Sequence, residues 1–306
     1  MEVSSRISKS TQIQRFCGIA SATDQEAQIY LRQYQYRLEP ALDAFLNDQS
    51  AHGGASRLSA QEEKTARTLL HTQFDMYKDD VDPDAISSEG ALRMLSDINL
   101  DPASVTILPL SYYLSSPSLG QFTRNGYVDG WLRIGVGASP ESQGSSLTLP
   151  HLVEQQKHAV SEVMHTFTSD GPVVPEYKSS SSSSPKKGLY TTVYEYTFAF
   201  ARNEGQKNLP LDLALTFWDL LLPYAPTYDA DGTRASAGTP SFSATQYELW
   251  KRFLTSASHV QVISKDTWSQ FLEFTREIDP KFANHDFEAA WPSVIDEFVA
   301  WVREQP

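Results

Sequence analysis

Between Ser264 and Arg303, apolar residues recur at three- and four-residue intervals in the runs KDTWSQFLEF and EAAWPSVIDEFVAWV, with a polar stretch between them. That spacing predicts a pair of amphipathic helices, each with one buried stripe. Trp268, Phe271, Leu272 and Thr275 share a face of the first, and Ser264 is placed to cap it. Trp291, Val294, Ile295, Phe298 and Val302 make the stripe of the second. Pro292 suits its first turn, where a backbone N–H has no intrahelical partner. Asp266, Ala290 and Asp296 fall off the stripes. On spacing alone, Asp266 answers the helix dipole and Asp296 is solvated surface.

The same reading extends to the rest of the chain. Residues 1–11 read as a flexible tail, and 12–48 as a unit of short helical segments. Gln12 to Phe16 leads into a turn at Cys17, Gly18 and Ile19, and Thr23 with Glu26 makes a capping box ahead of Ala27 and Leu31. Leu38, Ala41, Leu42, Phe45 and Leu46 then recur at helical spacing. Residues 49–58 carry glycine and serine and read as a linker to a second domain, 59–306. There Ser59 with Glu62 opens a helix towards Tyr77.

The following stretch, KDDVDPDAISSEGALRM, is laid out like an EF-hand. Counting its loop from Asp79 puts Ile86 at the usual hydrophobic eighth place, but Val81 third, Pro83 fifth, Asp84 sixth and Gly90 twelfth. Calcium needs about six to eight oxygen ligands, so a helix–loop–helix without calcium is expected. Pro102 to about Leu114 reads as an apolar helix that Pro109 should bend or shorten. Residues 139–165 read as a helix carrying His151, His158 and His165 two turns apart, a spacing that suits surface positions better than one shared metal. Disordered inserts are expected near 178–188 and 225–242, the first a serine run and the second rich in Pro, Gly and Ala. Two apolar helices lie between them, the second capped near Leu209 to Leu211. Ser243 with Gln246 then caps a helix containing Trp250 and Phe253. The expected fold class is all-α: a small three-helix domain followed by a larger all-helical one with EF-hand-like helix pairs.

Composition narrows the function. With 40% hydrophobic and 21% charged residues over 306 positions, the chain reads as an ordinary globular protein. A net charge of −13 argues against nucleic acid and suits a basic protein partner. No run of about eighteen apolar residues is present, so no membrane-spanning segment is expected. The N-terminus lacks an apolar signal region, and Glu2 in place of Gly excludes myristoylation. A single cysteine excludes a disulfide framework and a cysteine-rich zinc site, and points to cytoplasm or nucleus. HExxH, P-loop and G-x-S-x-G patterns are all missing, so neither catalytic residues, nor a metal, nor a cofactor is expected.

Several segments carry a family resemblance. The loop FCGIA after the first helix, Ala27 with Leu31, and the run RLEPALDAFL resemble a ubiquitin-associated (UBA) domain. That likeness implies ubiquitin binding through Cys17, Gly18 and Ile19, although the family more often has Met-Gly-aromatic there. The body is similar to the PONY (potentiating-neddylation) domain of the defective-in-cullin-neddylation family. The likeness rests on LDPAS (100–104), DGW (129–131), YTFAFARNEGQKNLPLDLALTFWDLLL (196–222), KDTW (265–268) and AWPSVIDEFVAWV (290–302).

This resemblance implies a non-catalytic, scaffold-type ligase. It would hold a cullin C-terminal winged-helix domain and the N-acetylated neddylation conjugating enzyme together, with ubiquitin and the cullin-associated RING protein as further candidate partners. Such a protein works by proximity and orientation. The resemblance implies a cullin-binding patch at Asp266, Ala290 and Asp296. It also implies an acetyl-methionine pocket at Ile107, Leu110, Ser111, Leu114, Phe122, Phe217 and Leu220. The chain departs from the family there at Pro109, at Ser111 in place of alanine, and at Leu114 in place of an aromatic. The alternative reading is a ubiquitin-binding adaptor acting through the N-terminal unit. A calcium-binding regulator is argued against by the 79–90 loop.

Overall fold

A computed structural model describes residues 9–20, 27–28, 31–32, 34, 36–42, 58–138, 146–173, 187–203, 205–226 and 242–305. The tail up to Ser8, Thr23, Glu26, Phe45, Leu46, residues 49–57 of the linker and most of both inserts lie outside the described residues. The described residues up to Leu42 form one unit, and those from Leu58 onward another.

The first unit is opened by α1 (Lys9–Ala20) and buries Phe16, Ala27, Leu31, Ala41 and Leu42 together. The expected turn at Cys17, Gly18 and Ile19 is not there, because α1 runs through all three and begins ahead of Gln12. One glycine in a helix costs only about 1 kcal/mol relative to alanine, and no proline follows it before Ala20 to stop the propagating hydrogen bonds. Cys17 is half-buried against the small core.

The second unit begins with α2 (Ala60–Tyr77), closed at its start by the expected capping box. The Glu62 N–H donates to Ser59 Oγ (3.3 Å), and the Ser59 N–H donates to Glu62 Oε2 (2.9 Å). Ala66, Leu70, Gln73, Phe74 and Tyr77 form its buried face. A turn follows, with Asp79 accepting the Val81 N–H (2.8 Å), and leads into β1 (Ala85–Ile86) and α3 (Ser88–Asp97). α4 (Ile107–Tyr113), β2 (Phe122–Thr123) and α5 (Arg124–Arg133) repeat that plan. The strands pair antiparallel, Ile86 opposite Phe122, and join the two helix–loop–helix units as in an EF-hand pair. Gly90, where a calcium loop would carry Glu, is dictated by packing. A Cβ there would lie 1.9 Å from the Tyr77 carbonyl oxygen, so α3 can approach the end of α2 only without a side chain.

The helix expected from Pro102 starts later, at Ile107. The Asp101 carboxylate accepts the Ala103 N–H (2.9 Å) and its carbonyl accepts the Ser104 N–H (3.0 Å), a local turn that competes with helix. Pro109 is therefore the third residue of α4, where the missing N–H breaks no intrahelical bond, and the helix runs on through it to Tyr113. Of the helix expected over 139–165, residues 139–145 lie outside the described residues, and α6 runs Leu149–Thr168 with Pro150 in its first turn, where the proline clashes with no preceding turn. His151, His158 and His165 are exposed on it, as expected.

α6 ties two hydrophobic cores together. Leu152 and Ala159 pack into the core of the first helix pairs, while Val163 and Phe167, further along the same helix, enter the second core. Gln156 is buried between them and satisfied by Gln73, whose amide donates to it at 2.9 Å.

That second core is built on the same plan. α7 (Leu189–Phe200), β3 (Leu209–Pro210) and α8 (Leu211–Leu221) are followed by α9 (Ala244–Arg252), β4 (Val262–Ile263) and α10 (Lys265–Glu277), with β3 antiparallel to β4. Ser243 and Gln246 form the expected capping box of α9, and Phe253 lies just beyond it in a π-type turn. α11 (Ser293–Arg303) completes the chain. At the centre, Trp218 stacks on Trp268 (5.2 Å, 9°) and Tyr194 on Trp268 (4.7 Å, 24°). Polar edges inside this stack are paired. Trp218 Nε1 donates to the Tyr194 hydroxyl (2.8 Å), that hydroxyl donates to the Trp268 carbonyl (2.9 Å), and Trp268 Nε1 donates to the Tyr194 carbonyl (2.9 Å). Burial pushes the Tyr194 phenol well above its ordinary pKa, so it stays a protonated donor.

Removing that hydroxyl strands the Trp218 donor and the Trp268 acceptor without water. Tyr194→Phe should lower unfolding free energy by about 2–4 kcal/mol, read from urea melts at unchanged m-value.

Candidate functional site

The start of α10 is fixed by Ser264, whose Oγ accepts the Thr267 N–H (3.0 Å). Thr267, Trp268, Phe271, Leu272, Phe274 and Thr275 face inward, which leaves Asp266 exposed in the first turn. An acidic side chain there meets the positive end of the helix dipole. α10 packs on α11 through Phe274 and Phe298 (6.2 Å, edge-on).

The connector from Ile278 to Pro292 is held by side chains in place of regular structure. The Asp279 carboxylate accepts the N–H groups of Lys281 (2.7 Å) and Asn284 (2.6 Å). Asn284 returns a bond to the Asp279 N–H (3.0 Å) and donates to the Glu277 carbonyl (2.7 Å). Bonds from the Asn284 and Lys281 backbone, helped by nearby Arg303, hold the Asp279 carboxyl below the usual carboxylate range. Arg303 reaches back from α11 to the Phe282 carbonyl (2.6 Å), where Phe282 is buried with a left-handed backbone (φ 57°). Ala290 is exposed at the end of the connector, and Trp291 packs half-buried from the connector, ahead of the helix. Pro292 occupies the cap position of α11, whose buried face is Val294, Ile295, Phe298 and Val299, with Val302 half-buried.

Asp296 is not simply solvated surface. It sits in the first turn of α11 with its side chain 29% exposed, and its Oδ1 lies 2.8 Å from His285 Nε2. An ionised carboxylate only accepts, so Nε2 carries the proton of this bond. The His285 side chain is 1% exposed, with Phe287 edge-on at 4.8 Å, Phe274 at 5.9 Å and Trp291 at 6.0 Å. Phe287 is itself 44% exposed, with the Arg303 guanidinium over its ring at 5.1 Å. Sequence reasoning missed His285. A lone histidine in a polar connector has no periodic signal, and only the fold brings it to Asp296.

The residues of the expected hydrophobic pocket are divided between the cores. Ile107, Leu110 and Leu114 on or next to α4, with Phe122 on β2, lie in the first core, whereas Phe217 on α8 lies in the second with Leu220 half-buried against it. Ser111 is buried, and its carbonyl accepts the Ser116 N–H (2.9 Å). Of the expected ubiquitin-contacting residues, Cys17, Gly18 and Ile19 lie along α1. Among the described residues no three His, Cys, Asp or Glu side chains gather as a metal site requires, and no helix is long and apolar enough to cross a membrane.

The described residues form a mostly helical protein with two short two-stranded sheets, and its larger unit carries Asp266 and Asp296 in the first turns of two packed helices. Residues 173–301 match the family model described as cullin binding, and residues 10–51 that of a UBA-like domain. Defective in cullin neddylation protein 1 of Mycosarcoma maydis is 40% identical over 99% of this chain and 97% of its own length. The protein of the same name from Candida albicans is 31% identical over 97% and 99%, and DCN1-like protein 3 of Rattus norvegicus 27% over 83% and 67%. The chain belongs to the defective-in-cullin-neddylation family.

The folded pKa of Asp279 lies below its unfolded value, so its hold on the connector is present at neutral pH and lost as pH falls through that lowered value. In Asp279→Ala at neutral pH, the amides of Lys281 and Asn284 should exchange hydrogen faster while those inside α10 do not change. Wild type should approach the variant on strong acidification. Equal protection of both proteins at neutral pH would refute the role of the carboxylate.

Proposed function

We propose that this protein promotes cullin neddylation as a non-catalytic scaffold. It holds a cullin C-terminal winged-helix domain and the N-acetylated neddylation conjugating enzyme close enough for modifier transfer. The observation that carries the reading is that Asp266 and Asp296, in the first turns of α10 and α11, and Ala290, at the end of the connector between them, all keep solvent access inside the segment matching the cullin-binding family model. Two carboxylates at such positions suit Lys or Arg of a basic partner, and the small Ala290 side chain permits close backbone approach. A chain with one cysteine, itself half-buried in the small unit, offers little for thioester chemistry, so proximity and orientation are the means it has.

The conjugating enzyme's acetyl-methionine is assigned to Ile107, Leu110, Ser111 and Leu114 on or next to α4, Phe122 on β2, and Phe217 and Leu220 on α8, which the two cores divide between them. Deep burial of most of these side chains means the site must open by side-chain movement as the methionine enters. An acetyl cap suits such a site, because a free ammonium would lose hydration at a cost of roughly several kcal/mol.

Asp296→Lys and Asp266→Lys should each weaken binding of a cullin winged-helix domain by about 30-fold or more in calorimetry, with an unchanged circular dichroism spectrum. Wild-type affinity in either folded variant refutes that residue's place in the patch. An acetylated methionine peptide from the conjugating enzyme should bind at least about tenfold more tightly than the free amine, and equal binding removes the pocket.

A further inference from the structure

The acidic patch contains a group its exposed residues do not reveal. One oxygen of Asp296 is held at 2.8 Å by a histidine whose side chain is 1% exposed. Phe274 of α10, Phe287 and Trp291 of the connector and Asp296 of α11 enclose the ring. A carboxylate in a first helical turn is otherwise free to swing among rotamers, and this bond fixes its direction before any partner arrives.

We propose that His285 is a positioning residue for the partner-facing carboxylate of Asp296, and that its Nε2–H bond raises affinity for a basic partner surface. The inference rests on the cullin-binding reading of Asp296 given above. A Lys or Arg of the partner meets a carboxylate already aimed at it, so less of the interaction is spent on ordering that side chain.

The other charges around the ring do not replace this pair. In the connector, Asp286 accepts the Glu288 N–H (2.9 Å), Asp279 accepts from Lys281 and Asn284, and Glu288 and Lys281 are exposed. On α11, Arg303 is turned to the Phe282 carbonyl and the Phe287 ring, and Glu297 is exposed. On α10, Glu273 pairs with Arg276 (3.1 Å), and Glu277 is exposed at the helix end. Among the described residues, Asp296 is the titratable group bonded to the His285 ring.

The test measures affinity of the full chain for a cullin winged-helix domain by calorimetry at fixed pH and ionic strength. Wild type is compared with His285→Gln, His285→Phe and Asp296→Lys. Glutamine keeps an N–H donor near the Nε2 position, so its affinity should stay near that of wild type. Phenylalanine keeps the ring volume and loses the donor, so affinity should fall about threefold to tenfold at an unchanged circular dichroism spectrum. Loss of binding in Asp296→Lys, with wild-type affinity in folded His285→Phe, overturns the inference and leaves the patch standing, and so does an equal loss in His285→Gln and His285→Phe. Wild-type affinity in Asp296→Lys overturns both. If His285→Phe does not fold, His285→Leu, which also lacks the donor, is read in its place.

Discussion

The larger domain depends on one buried aromatic stack whose polar edges satisfy one another. Tyr194 of α7, Trp218 of α8 and Trp268 of α10 lie face to face, and three hydrogen bonds among them use both indole N–H groups and the phenol. Each such ring buries about 150–250 Å² of surface, so the stack is a large share of the driving force for this half of the molecule. Its hydrogen bonds also make it selective. Sliding α10 by one residue along α7 would leave buried donors unpaired, at about 1–3 kcal/mol each.

Because Trp268 is locked, the start of α10 is locked, and with it the backbone position of Asp266. The constraint passes onward through aromatic contacts. Phe271 stacks on Trp250 (4.6 Å, 15°), Trp250 meets Phe298 edge-on (4.9 Å), and Phe298 fixes α11. The patch at the surface is therefore held by the core beneath it. The connector that joins α10 to α11 sends Ile278 and Phe282 into the same core, and its irregular backbone is held by carboxylate and amide caps from Asp279 and Asn284 and by Arg303 from α11. On the proposed scaffold role, such a surface would fix a partner's orientation with little of the interaction energy spent on ordering itself.

Paired short strands recur twice, each leading straight into a helix whose first turn is close by. The first pair retains EF-hand geometry without the ligands of a calcium loop. Arg124 bridges the Asp84 (2.7 Å) and Asp75 (2.8 Å) carboxylates, so a cation supplied by the chain sits among the acids of that loop. Gly90 lets the helices approach where a coordinating glutamate would collide with Tyr77.

Wherever the signal is local, the sequence by itself determined the outcome. Capping boxes at Ser59 and Ser243, the Ser264 cap, the inward stripe of α10 and the exposed histidines of α6 follow from a side chain reaching its own backbone or from a 3.6-residue period. The family, by contrast, was legible through separated sequence blocks such as LDPAS, KDTW and AWPSVIDEFVAWV and not through any period. Other features were decided by competition or by distance. Gly18 did not stop α1 because one glycine costs less than the bonds beyond it, and Pro109 did no harm because the turn at Asp101 moved the helix start to Ile107. The bond between His285 and Asp296, eleven residues apart with a turn between them, exists only because Phe274 and Trp291 wall the ring in. No periodicity encodes that contact. It is the tertiary structure that brings a polar connector back over the start of α11, and burial then leaves the imidazole one partner to satisfy.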